Sequence, residues 1–501
     1  MVFTLELPLV PAPASASVGE GRMPLPEHLV VDGPADAAHR LLLEVEQRTG
    51  IGGMSAHDGA HVELRIDPAV AAPEGYTLDV VDGIRVVGAD DAGLFYGIQS
   101  LLQLIRQDAE GAWSVHRASI ADAPRFTHRG VMLDVARHFF TVSEVRRLID
   151  AASALKLNRL HLHLSDDQGW RIAIGSRHLL TELASDSAAG GEPGGFYSAS
   201  DYREIVEYAA AHHMVVIPEI DLPGHTHAVG VAYPDLVEEP VIDEAFRAQA
   251  ASLGQALPVA GVPYTGWGVG HSSLRIHDER TYEFIGEVIA ELAALTPGPY
   301  LHIGGDEALG TTAEDYALFI SRATRAVVDA GKTPIAWHEA GAAADLARGT
   351  IGQYWGSVTA KDVARAETAR FVEREGAVIL SPSDVAYLDM KYTPDFPLGL
   401  DWAGTIDVRK AYEWDPTSVL DIDALAILGV EAPLWSETAR TFEHVQLLAF
   451  PRIAAVAEIA WSTAAGRDWE SFRVRLGSLA PLWTAAGISY HPTDDVPWTE
   501  R

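Results

Sequence analysis

From residue 128 onward the chain repeats one pattern: a short apolar run that ends in polar or charged residues, then a stretch with helical spacing. The runs are GVMLDVA (130–136), RLHLHLS (159–165), MVVIPEI (214–220), YLHIGGD (300–306), PIAWHE (334–339), IGQYWG (351–356), AVILSPS (377–383) and ILGVEAPLW (427–435). Near-continuous apolar runs, unlike alternating ones, mark strands buried on both faces of a parallel sheet. SEVRRLIDAASALK (143–156), DYREIVEYAAAHH (201–213) and FEHVQLLAFPRIAAVAEIAW (442–461) have the helical period and intervene or close the set. Eight such strands with helical crossovers predict a (β/α)₈ TIM barrel over 125–501, in the α/β class. That span exceeds the roughly 250 residues typical of the fold, so long insertions are expected, notably at 190–198 and 381–425.

Residues 1–124 read differently. VELRI (62–66), YTLDVV (76–81) and GIRVVGA (83–89) are strand-like, and Val81-Asp82-Gly83 reads as a hairpin turn. AGLFYGIQSLLQLIRQ (92–107) has helical apolar spacing. A small α+β domain is predicted here, with the boundary at Ala123-Pro124. No internal repeat or low-complexity tract is apparent.

Composition narrows the function classes. Hydrophobic residues make up 48% and charged residues 21%, which describes a folded chain. The net charge of −33 repels phosphate, so neither nucleic acid nor an anionic membrane is expected as a partner, whereas a neutral sugar feels little of that field. The absence of cysteine excludes disulfides, thiolate catalysis and thiolate-bound zinc. The opening residues, MVFTLELPLVPAPASASV, have no basic segment before the apolar one. No signal peptide is therefore expected, and the expected compartment is cytoplasmic, or extracellular if a signal has been removed. No transmembrane helix is expected either.

Active sites of such barrels form at the C-terminal ends of the strands, which here carry carboxylates and tryptophans. Asp306-Glu307 follows two glycines, which let the backbone bend sharply. Adjacent carboxylates disfavour each other's ionisation and suit acid/base work; a metal-binding or simply solvated pair is the alternative. Trp337, Trp355, Trp402 and Trp435 fall at or near strand ends, and indoles bury the apolar faces of sugar rings. Arg129, Asp166, His225, Tyr387, Asp389 and Glu437 add groups able to hydrogen-bond adjacent hydroxyls.

HRGVMLDVARHFF (128–140), LHLHLSDDQGWR (161–171), EIDLPGHTHA (219–228), LHIGGDEA (301–308), YLDMKY (387–392) and EAPLWSE (431–437) resemble family 20 glycoside hydrolases, the β-N-acetylhexosaminidases. EGYTLDV and AGLFYGIQ resemble segments of that family's N-terminal domain. The resemblance implies an exo-acting enzyme that removes terminal β-linked GlcNAc or GalNAc with retention, using the substrate's acetamido group as nucleophile. It implies that Glu307 is the general acid/base, that Asp306 orients the acetamido group, and that Tyr387 binds its oxygen. Trp337, Trp355 and Trp435 would wall the acetamido pocket; Arg129, Asp389, Trp402 and Glu437 would hold hydroxyls; Asp166 and His225 would support Glu307. No cofactor and no metal are implied. The partner is an oligosaccharide or glycoconjugate ending in N-acetylhexosamine, and the expected assembly is a monomer or homodimer. The segment 185–195 is only loosely family-like, and Trp267-Gly268 lies in an insertion (263–275) where a more polar segment is expected.

Two other readings compete. The pairs His161-X-His163 and His225-X-His227 are spaced as zinc ligands of a metal-dependent hydrolase. A barrel that kept its tryptophans but not its chemistry would be a sugar-binding module, which the intact Asp306-Glu307 pair argues against.

Overall fold

The structure, a computed structural model, describes residues 7–70 and 72–499; the first six residues of the stretch read for a signal peptide lie outside these. The described residues form two compact units. One comprises the described residues of 7–129, 151–157 and 450–499, the other 130–150 and 158–449. The first unit is therefore discontinuous, and it extends beyond the boundary expected at residue 124.

In the first unit, β1 (Ser15–Pro24), β2 (Leu29–Asp32), β3 (Gly53–Ser55), β4 (Val62–Ile66), β5 (Tyr76–Val80), β6 (Ile84–Gly88), β7 (Ile105–Gln107) and β8 (Trp113–Asp122) form one sheet. Its order is β1-β8-β5-β6-β4-β2-β3, with β7 paired to β8. β5 and β6 make the predicted hairpin, with Val80 opposite Ile84. The sheet and the helices Ala35–Thr49 and Asp91–Leu104 share a core that includes Leu41, Leu64, Leu78, Val86, Leu94 and Ile98.

The barrel strands are β9 (His128–Asp134), β10 (Arg159–His163), β13 (Val215–Glu219), β14 (Tyr300–His302), β15 (Thr333–Trp337), β16 (Ile351–Tyr354), β17 (Val378–Leu380) and β18 (Ile427–Leu434). They close in that order, β18 returning beside β9, and β9 pairs parallel to β10. Each coincides with one of the eight predicted runs. Between β10 and β13, a short hairpin of β11 (Ser165–Asp166) and β12 (Gly169–Trp170) sits on the rim. Among the described residues, no helix is long and apolar enough to cross a membrane.

The barrel interior changes character along the strands. Ile217, Ile335, Ile351 and Ile379 pack together as an aliphatic layer. Side chains alternate along a strand, so the residue two places further on shares the face. Those residues are Glu219, Trp337, Gln353 and Ser381, all buried. The aliphatic layer thus gives way to a polar and aromatic one on the way to the C-terminal rim.

Candidate active site

The loop after β14 is bent by three residues with positive φ: Gly304 (67°), Gly305 (104°) and Glu307 (45°). Glycine adopts this region at little cost, whereas Glu307 does so with strain. Asp221 Oδ1 accepts a hydrogen bond from the Gly305 amide at 2.9 Å, and the Tyr316 hydroxyl donates to the Gly305 carbonyl. The bend sends two neighbouring carboxylates into different surroundings. Asp306 is buried, while the Glu307 side chain is one-third exposed (33%).

Asp306 is raised above the ordinary carboxylate range by burial, against the pull of His225, and further by the charge of Glu307. Asp221, Asp306 and His225 bring ligand-type atoms within 4.8 Å of one another. Asp221 is pushed well up by burial and then by Asp306. His225 Nε2 stands 3.9 Å from Asp306 Oδ1 and 3.5 Å from Glu307 Oε2. Its Nδ1 lies 3.1 Å from Asp166 Oδ1. Burial opposes a charge on His225, but Asp166, Asp221 and Asp306 lift it well above its usual value. Asp166 is held well below the carboxylate range: burial is outweighed by Arg137 and then His225.

The aromatic residues converge. Trp337 and Trp435 have ring centroids 5.9 Å apart, Trp355 and Trp402 meet edge to face at 6.0 Å, and Tyr387 lies 5.8 Å from Trp402 and 6.4 Å from Trp435. Trp337 is sealed, whereas Trp402 is 54% exposed and forms the outer lip. Two indoles are pinned by carboxylates: Trp337 Nε1 donates to Glu219 Oε1 at 2.9 Å, and Trp355 Nε1 donates to both Glu339 oxygens at 3.0 Å. Tyr387 is raised well above its usual value by burial and by the charges of Asp389, Asp306 and Glu339, so its hydroxyl stays a donor. The Leu388 amide donates to the Pro433 carbonyl at 2.7 Å, tying the segment with Tyr387 and Asp389 to the end of β18. Asp389 is buried and Glu437 half-buried.

Arg129 is not brought to this site. It belongs to the first unit, fully buried. Its guanidinium donates to Glu74 at 2.9 and 3.1 Å, to Tyr96 Oη at 3.2 Å and to the carbonyls of Phe126 and Lys156. The physical reason is strand polarity: β9 starts at His128, so Arg129 lies at the end opposite the rim. Arg137, three residues beyond the C-terminal end of β9, stands at the site instead. Its Nη1 is 2.8 Å from Asp166 Oδ2 and 3.5 Å from Asp134 Oδ2, and its guanidinium covers the Trp435 ring at 4.9 Å. Glu437 is near enough for the Arg137 charge to oppose the effect of its burial. Arg137, Asp221 and Glu339 stand at or one residue past the ends of the apolar runs 130–136, 214–220 and 334–339, and the resemblance assigns them no role.

The two histidine pairs do not form one metal centre. His161 and His163 face the barrel interior. Burial works against their charge, but Glu431 and Glu219 lift His161 to about 9, and Glu219 with Asp166 lifts His163 to about 10. His161 shares a cluster of ligand-type atoms within 4.8 Å with Glu219 and His302, and His163 shares one with Glu219 and Asp221. His225 turns to Asp166 and Glu307, whereas His227 Nε2 bonds the Val262 carbonyl at 2.8 Å.

Comparisons with known proteins identify the family. The model of the glycosyl hydrolase family 20 catalytic domain matches residues 126–464, and that of the family's domain 2 matches 6–123. A β-N-acetylhexosaminidase of Cellulomonas fimi is 39% identical over 445 residues, 87% of this chain and 84% of that protein. Among solved structures, a family 20 β-N-acetylglucosaminidase is 53% identical with a TM-score of 0.91, covering 98% of this chain and 99% of the other. The Streptomyces plicatus N-acetyl-β-hexosaminidase, in complex with Thio-NAglucal, is 42% identical with a TM-score of 0.90, covering 98% of each chain. The chain belongs to glycosyl hydrolase family 20. Its activity is exo-acting hydrolysis of terminal β-linked N-acetylhexosamine with retention, the substrate's acetamido group serving as nucleophile.

Proposed function

We propose that the site residues divide this reaction as follows. Glu307 protonates the departing glycosidic oxygen and later takes a proton from the attacking water. Asp306 orients the acetamido N–H and balances the positive charge that develops on its nitrogen. Tyr387 donates to the acetamido oxygen as that oxygen attacks the anomeric carbon. Trp337, Trp355 and Trp435 wall the acetamido group, and Trp402 covers the ring from outside. Asp389 and Glu437 hold hydroxyls together with Arg137, which takes the part first expected of Arg129. Asp166 and His225 support Glu307. The acetamido group and the anomeric carbon belong to one molecule, so their reaction has a high effective molarity and needs no carboxylate nucleophile.

One observation carries the division: two adjacent carboxylates sit in different environments. The one-third-exposed Glu307 can exchange protons with leaving groups and water. The sealed Asp306, with its raised proton affinity, holds its charge best when a cation forms beside it. The substrate is an oligosaccharide or glycoconjugate ending in N-acetylhexosamine.

The test is a leaving-group series. Glu307→Gln should lose about 10²- to 10⁴-fold in turnover on poor leaving groups and far less on activated aryl N-acetyl-β-glucosaminides. Equal losses across the series would remove Glu307 from the acid role.

A further inference from the structure

A line of alternating carboxylates and imidazoles, each within 3.5 Å of the next, leads from the barrel interior to Glu307. Glu431 Oε1 is 2.8 Å from His161 Nδ1, and His161 Nε2 is 3.1 Å from Glu219 Oε2. Glu219 Oε2 is also 2.5 Å from His163 Nδ1, and His163 Nε2 is 2.7 Å from Asp166 Oδ2. Asp166 then meets His225, which faces Glu307. The links from Asp166 onward belong to the reaction scheme; those before it do not.

Glu219 is where this line branches. Its other oxygen, Oε1, accepts the Trp337 indole N–H at 2.9 Å and lies 3.0 Å from His302 Nδ1. One carboxylate, itself fully buried, is thus shared between a wall of the acetamido pocket and the line that ends at the acid. We propose that Glu219 is a positioning residue for both ends of the reaction: through Trp337 it fixes the pocket wall, and through His163, Asp166 and His225 it sets the proton affinity of Glu307. The inference rests on the assignment of Glu307 as the acid.

The surrounding charges define the sign of the effect. Glu219 faces His161, His163 and His302, and its charge also reaches Asp221 and Asp306. His163 faces Glu219, Asp166 and, at 3.3 Å, Arg137 Nη1. His225 faces Asp166, Asp167, Asp221, Asp306 and Glu307. Removing the Glu219 charge leaves the line one unit more positive, which favours ionised Glu307. Removing the His163 charge leaves it one unit more negative, which favours protonated Glu307.

The experiment is the pH profile of kcat/KM on an aryl N-acetyl-β-glucosaminide, whose alkaline limb reports ionisation of the acid in the free enzyme. Glu219→Gln should move that limb to lower pH, and His163→Gln should move it to higher pH, each by about half a unit or more. Trp337→Phe cuts only the pocket branch, so it should raise KM and leave the limb in place. A residue that only stabilises the fold would lower Tm without shifting the limb in opposite directions. Should Glu219→Gln not fold, Glu219→Asp, which draws the carboxylate back from His163, takes its place: a limb moved to lower pH supports the role of Glu219, and an unmoved limb overturns it. Glu307→Gln, run in parallel, should abolish the limb. A limb surviving in Glu307→Gln overturns the assignment of Glu307. A limb that vanishes there but stays put, or moves the same way, in both Glu219→Gln and His163→Gln overturns the role of Glu219.

Discussion

The Asp221 carboxylate stands where a side chain on residue 304 would have to be: a Cβ built on Gly304 would lie 1.7 Å from Asp221 Oδ1. Asp221 lies against Asp306 and binds the Gly305 amide, so this clearance is part of what aims the Asp306-Glu307 pair. Gly304→Ala therefore meets both a clash and a left-handed φ. We predict a loss of at least about 2 kcal/mol in stability and of at least about 10²-fold in kcat/KM, because small displacements of a reacting group are costly. Thermal unfolding and steady-state kinetics measure the two; wild-type kinetics in Gly304→Ala would show that the clearance does not aim the carboxylates.

The two arginines of the 128–140 segment should separate cleanly. Arg137→Met removes the cation that Asp166 and Trp435 share and should cost more than about 10²-fold in kcat/KM, in keeping with the loss of a buried charge partner. Arg129→Met breaks its pair with Glu74 and its carbonyl contacts. Glu74 is partly exposed, so the stability loss should be moderate, on the order of 1–3 kcal/mol, with KM within about threefold of wild type. A folded Arg129→Met with greatly weakened substrate binding would return Arg129 to the site.

The same pair shows what the sequence made legible and what it did not. The eight barrel strands were readable because each is buried on both faces and so appears as an apolar run. The motif 128–140 was readable too, and the run 130–136 with the C-terminal rim already points to Arg137; the resemblance alone led to Arg129. In the first unit, β1 escaped notice because SASVGEGRMP is almost wholly exposed and carries no apolar alternation. The segment 442–461 read as one helix, but it is two, Phe442–Ala449 and Arg452–Trp461. Pro451 lacks an amide hydrogen and interrupts the ladder. Glu219 looked like one more strand-end carboxylate; its four partners come from strands distant in sequence, and no local pattern reports them.

The interior imidazoles make stability depend on pH in a defined direction. His161 and His163 are raised in the folded state to about 9 and about 10, against about 6.5 in an unfolded chain. A raised pKa means the folded state binds the proton more tightly. The associated stability is fully present below about pH 6.5 and is lost as pH rises through 9 to 10. Tm should therefore fall between about pH 7 and pH 10, and the fall should be shallower in His161→Gln. A Tm that is flat or rising across that window in the wild type would contradict the imidazolium–carboxylate line.

The most direct test of the account is the configuration of the first-formed sugar. Attack by the acetamido oxygen inverts the anomeric carbon once, and water inverts it again, so the product must leave as the β-anomer. Proton NMR of the earliest product, recorded before mutarotation, should show the β-anomer alone. Initial release of the α-anomer would contradict the mechanism built on Asp306, Glu307 and Tyr387.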